Sequence, residues 1–139
     1  MAKRLNARNR REKGIRIGLR DADEVSPDQQ PPIFCLRYLD NDDDFCLREC
    51  DKDQKAALVD TLHRLSQITW TQLKSIDRHK MGFEKITQKA IRGRIPPHIT
   101  EEVVFIAFRF WAMAPMVGYR NGAIFHIIWL DRKFRLYKH

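Results

Sequence analysis

Cysteine is scarce in this chain and odd in number, so Cys35, Cys46 and Cys50 cannot all pair with one another. Cys46 and Cys50 form one close pair, where a zinc site usually shows two. The thiols therefore read as small buried hydrophobes. Long apolar runs are also missing: nothing approaches the roughly 20 residues that span a bilayer. The charged N-terminus is followed by no apolar stretch, so no secretory signal is expected and the expected compartment is the cytoplasm. There is no glycine-rich phosphate loop, no Ser-His-Asp arrangement with recognisable context and no zinc-protease helix. The acidic run Asn41-Asp42-Asp43-Asp44 lacks the glycine and distal glutamate of a calcium loop and reads as a solvated turn. Neither a metal nor any other cofactor is expected.

What is present in excess is positive charge, unevenly spread. Of the net +8, residues 1–20 hold eight basic side chains against Glu12 alone, a net of +7. Residues 21–73 hold five basic and 12 acidic, a net of −7. Residues 74–98 hold seven basic and two acidic, a net of +5. A flexible cationic arm at residues 1–20 can neutralise phosphates by counterion release without a folded pocket. Arg4, Arg8, Arg10, Arg11 and Lys13 are its candidate nucleic-acid contacts. The arm has no aromatic residue for base stacking and too thin an apolar face for a membrane surface. A solubilising tail is the competing reading. The acidic 21–73 half could alternatively meet a basic protein.

The length of 139 residues fits one domain. Residues 1–32 divide off as basic arm and polar linker, ending at Pro31-Pro32, and residues 33–139 as an α+β domain. Ile33 to Leu39 reads as a strand, with Phe45 to Arg48 as a short partner. Asp51 to Ser66 reads as a helix, with Leu58, Leu62 and Leu65 at i, i+4 and i+7 and Val59 beside them. Thr69 is the expected N-cap of a second, shorter helix to about Ile76. Gly82 to Ile86, Glu102 to Trp111, Val117 to Arg120 and Ala123 to Leu130 read as strands, the last two joined by a tight turn at Asn121-Gly122. Arg135 to Lys138 adds a strand or a tail. The expectation is a small antiparallel sheet with both helices packed on one face, and Trp70 and Trp129 in the core.

The segment Val117-Gly118-Tyr119-Arg120-Asn121-Gly122-Ala123-Ile124-Phe125-His126-Ile127-Ile128-Trp129-Leu130-Asp131 resembles small proteins of the RelE/ParE-like toxin superfamily. The stretch from Phe45 through the helices to Arg78-His79 is similar in plan, so the resemblance covers roughly residues 33–137. Where relatives often place Pro and His after the aspartate, Arg132, Lys133 and Phe134 follow Asp131 here. The resemblance implies an RNA-targeting protein of a toxin–antitoxin system. That means a metal-independent ribonuclease or translation inhibitor acting on RNA or the ribosome, with a small antitoxin as partner. A non-catalytic nucleic-acid-binding module is the alternative.

Cleavage of RNA without metal needs a base for the 2′-hydroxyl, an acid for the leaving oxygen, and cations for the phosphorane charge. His79, Arg109, Arg120 and Tyr137 are the candidate catalytic residues. Arg78, Lys80, Lys85, Arg92 and Arg94 are the candidate nucleic-acid contacts on the body. Solvated loops would explain Arg78, His79 and Lys80 equally. Arg109, in an aromatic strand, either faces a ligand or packs its stem while its head reaches water. His126 alternates with Ile124 and Ile128 and reads as a half-buried structural histidine.

Overall fold

Two capping boxes set the helices. Asp51 accepts a hydrogen bond from the Gln54 N–H, and the Gln54 side chain accepts one from the Asp51 N–H, both at 2.8 Å. Thr69 and Gln72 repeat the exchange at 3.2 and 3.0 Å. These reciprocal bonds satisfy N–H groups that a helix start leaves unpaired. They open α1 (Lys52–Leu65) and α2 (Trp70–Lys74). In this computed structural model residues 25–139 are described. The arm, with Arg4, Arg8, Arg10, Arg11 and Lys13, lies outside the described residues.

One strand precedes the helices and four follow them: β1 (Ile33–Cys35), then β2 (Glu84–Ile86), β3 (Phe105–Trp111), β4 (Ala114–Asn121) and β5 (Ile124–Leu130). They form one sheet in the order β1-β5-β4-β3-β2. The α+β class holds, and both helices pack on the same face. That layer buries Leu58, Leu65, Trp70 and Leu73 against Ile106, Phe108, Met116, Phe125 and Ile127. Val59, next to the leucine stripe in sequence, is instead exposed. Trp70 and Trp129 are fully buried, on opposite faces of the sheet.

Two details differ from the sequence expectation. The sheet is mixed, because β1 lies parallel to β5, with Phe34 opposite Phe125. A three-residue strand entering at the sheet edge is directed by its distant partner, which no local pattern encodes. Phe45 to Arg48 is not a strand: Phe45 and Cys46 donate their N–H groups to the Asp42 carbonyl, closing a turn. The Asp40 and Asp42 carboxylates take the N–H groups two residues on, which is how aspartates compete with extended structure.

The β4–β5 hairpin forms where Asn121-Gly122 suggests it, with Asn121 opposite Ile124 and Gly122 at φ +63°. Glycine at the first turn position suits a twist-matched hairpin. Residues 27–32 are fastened to the body: the Trp70 N–H bonds the Gln30 carbonyl, and Thr71 bonds that of Asp28. Among the described residues the second face of the sheet carries no α-helix, only the 3-10 turn Gln88–Ala90. Residues 87–104 and the tail after β5 cover it, burying Phe105, Val117, Trp129 and Leu136 together. Among the described residues no helix is long and apolar enough to cross a membrane.

Candidate functional site

Strand alternation decides which polar groups reach the second face. Along β3, Phe108 and Phe110 turn to the helices, while Ala107 and Arg109 turn away. Glu84 is opposite Ala107, so its side chain meets Arg109 across the β2–β3 pair. The Arg109 guanidinium places Nη2 2.6 Å from Glu84 Oε1 and donates from Nη1 to the Tyr137 hydroxyl at 3.1 Å. Tyr137 in turn donates to Glu84 Oε1 at 2.8 Å, closing a triangle. Arg78 takes the other carboxylate oxygen at 2.8 Å. The Arg109 side chain is only 10% exposed, so this is a nearly buried ion pair with its remaining lone pairs satisfied.

Electrostatics follow from that geometry. Burial pushes the Glu84 carboxyl up, but the Tyr137 hydrogen bond and the Arg109 and Arg78 charges outweigh it, leaving Glu84 below its ordinary range. Burial first, and donation to Glu84 second, push the Tyr137 phenol well above its ordinary value. Tyr137 is therefore a fixed hydrogen-bond donor and no base at neutral pH.

The tail that carries Tyr137 is organised by one carboxylate. Asp131 is wholly buried and accepts the N–H groups of Arg135 at 2.8 Å and Leu136 at 3.0 Å. The His139 Nε2 lies 3.4 Å from its Oδ2. The His139 ring packs on Tyr137 with centroids 4.1 Å apart. The result is a pocket of about 310 Å³ whose lining includes Arg78, His79, Glu84, Arg109, Tyr137 and His139.

Three of the four candidate catalytic residues, His79, Arg109 and Tyr137, thus converge from segments far apart in sequence, and Arg78 joins them. Arg120 does not. It lies over the Trp70 ring at 4.5 Å, is ion-paired to Asp28, and donates to the Gly122 carbonyl at 2.7 Å. That makes it a fastener for residues 27–32 at the hairpin end of the sheet. Lys80 lines a smaller hollow beside Arg64 and Phe108. Lys85 sits opposite Ile106, so alternation turns it away from Glu84. Arg92 and Arg94 are exposed on the covering segment, whose Arg92 N–H bonds the Leu136 carbonyl. Arg94 borders a separate hollow with Tyr38 and Asp40.

Glu84 and His139 complete the site; Glu84 was not considered from sequence, whereas His139 was weighed beside Tyr137 by resemblance to similar toxins and not selected. The signal for Glu84 was its isolation: it and Asp77 are the two acids among the seven basic residues of 74–98. His126 stacks on Tyr119 with centroids 4.7 Å apart, away from the pocket, and burial lowers its basicity. Cys46 and Cys50 are buried free thiols, and Cys35 is half-buried. No protein-family model matches the chain, and no curated protein or solved structure matches it.

Proposed function

We propose that this protein targets RNA and cleaves it without a metal at the Arg109 pocket, in the manner of a toxin of a toxin–antitoxin pair. The observation that carries the reading is the meeting of His79 and His139 with Arg78 and Arg109 in one small pocket. Two imidazoles supply a base and an acid, and the guanidiniums supply cations for developing phosphorane charge. His79 is assigned as base, its exposed Nε2 exchanging the 3.4 Å bond from Arg78 Nε for one from the 2′-hydroxyl. His139, oriented by Asp131, is assigned as acid in its protonated form. The 2′-oxygen gives its proton to His79 and bonds to phosphorus, the bond to the 5′-oxygen breaks, and His139 protonates that oxygen. The products are a 2′,3′-cyclic phosphate and a 5′-hydroxyl.

The test is incubation of purified protein with total RNA and with ribosomes. His79→Ala and His139→Ala are each expected to slow cleavage by about 10²- to 10⁴-fold. His79 is exposed, so its replacement leaves the fold intact. Cleavage at the wild-type rate by both variants, or no cleavage by the wild type, defeats the proposal.

A non-catalytic nucleic-acid-binding reading is favoured by a different observation. Arg109 is already ion-paired with Glu84 and bonded to Tyr137, while the exposed Lys89, Arg92 and Arg94 have no ion pair among the described residues. That reading expects steeply salt-dependent binding of RNA that stays uncut.

A further inference from the structure

The mouth of the pocket carries apolar side chains that the chemistry above does not use. Met113 and Phe134 line it, and they are 43% and 44% exposed. Phe134 also has a backbone φ of +55°, a left-handed conformation that costs a bulky residue energy and is a genuine outlier for it. The cause is visible. Asp131 draws the N–H groups of Arg135 and Leu136 inward, and the Phe134 N–H bonds the Asp131 carbonyl at 3.4 Å. The chain must therefore reverse at Phe134, and its ring is left at the rim, edge-on to His139 with centroids 5.0 Å apart. On the facing side, Ala112 is also left-handed, at φ +48°, in the turn that presents Met113. Two strained turns thus hold two large apolar side chains in water above a cation-lined pocket.

Resting on the RNA reading, we propose that Phe134 and Met113 form a platform for one unpaired nucleobase, so that the ligand is single-stranded RNA. The argument from charge is direct. An apolar protein segment would be satisfied by the rim but not by the pocket's excess of positive charge, since Arg78, Arg109 and Lys138 line it against Glu84 alone. A nucleotide supplies both parts, a π-face for the rim and a phosphate for the cations. A duplex keeps its bases stacked inside and cannot offer a base face to Phe134.

The experiment measures affinity of the full chain for a fluorescein-labelled single-stranded oligoribonucleotide, the same sequence closed as a duplex hairpin, and the single strand with one abasic position. To keep the substrate whole, all measurements are made in the His79→Ala background. The decisive variant is Phe134→Gly, because glycine adopts positive φ freely. Its melting temperature is expected to hold or rise, while affinity for the single strand falls about tenfold or more. The hairpin is expected to bind weakly and to be indifferent to Phe134→Gly. Phe134→Trp is expected to retain tight binding. Equal affinity of Phe134→Gly and its parent for the single strand overturns the platform, and so does tighter binding of the hairpin. If the single strand binds and the wild type cleaves it, but Phe134→Gly changes nothing, only the platform falls. If no RNA binds at all, the RNA reading falls with it. Loss on Phe134→Gly of a copurifying protein, with RNA affinity unchanged, identifies the rim as a protein-docking surface and overturns the platform.

Discussion

Arg109 has two duties, and they separate by which partner is removed. Arg109→Ala leaves the largely buried Glu84 carboxylate with the half-exposed Arg78 and the Tyr137 hydroxyl, without its more buried cation. Loss of the buried partner of an ion pair makes this the costlier change, about 3 kcal/mol by urea unfolding. Tyr137→Phe removes one donor from the same oxygen and should cost about 1 kcal/mol. Loss of activity in Arg109→Ala therefore reports on the fold as much as on chemistry, which is why His79 is the better probe. The pH dependence follows from Glu84. Its carboxyl is held below the ordinary range, so between the folded and unfolded values the unfolded chain binds more protons. The stabilisation is full above the unfolded value of about 4.3 and is lost as pH falls through the folded one. In Glu84→Gln the acid limb of the stability curve should be shallower; a limb unchanged from wild type would mean the ion pair contributes nothing. At this scale the sequence was half legible. Arg109 was conspicuous as a charge in an aromatic strand, but its partner could be found only once β2 was paired with β3 in register.

Elements with local causes were readable, and those with distant causes were not. The helices advertise themselves through the Leu58, Leu62 and Leu65 stripe and the Thr69 cap, and the β4–β5 hairpin through its glycine. The parallel placement of β1 depends on pairing Ile33 with Ile124, which nothing near Ile33 encodes. Nor does sequence alternation reveal the bulge between Val117 and Gly118, where the β4–β5 register shifts. Gly118 is there for space. A Cβ on it would lie 1.8 Å from the His126 carbonyl oxygen, a backbone atom of the paired strand that cannot move alone. Gly122 is there for its dihedral, and a Cβ on it would meet nothing within 4 Å. The two hairpin glycines should therefore respond differently to alanine. Gly122→Ala is expected to cost about 1 kcal/mol, whereas Gly118→Ala should cost well above about 3 kcal/mol or prevent folding. Thermal melts of both variants decide it, and equal costs would remove the steric account of the bulge.

Across the whole molecule, charge and shape divide the work between two regions. The pocket lies toward the β3–β4 turn, with Met113 at its edge, whereas residues 27–32 are held by Arg120 and Trp70 near the β4–β5 turn. The described chain therefore begins at the end of the sheet opposite the pocket. Of the 26 basic residues in the sequence, eight precede residue 21, and the rest face 14 acids from residue 25 onward. If RNA is the ligand, the pocket sets which nucleotide is engaged and the arm sets much of the salt dependence. Replacing Arg8, Arg10, Arg11 and Lys13 by Gln in the full chain tests this division. Each phosphate contact on a single strand contributes about 0.7 to the slope of log affinity against log salt. If all four residues make such contacts, the slope should flatten by about 3. The preference for single strand over hairpin, set at Phe134, should persist at each salt concentration. An unchanged slope would reduce the arm to a solubilising tail and leave recognition to the pocket and the exposed Lys89, Arg92 and Arg94.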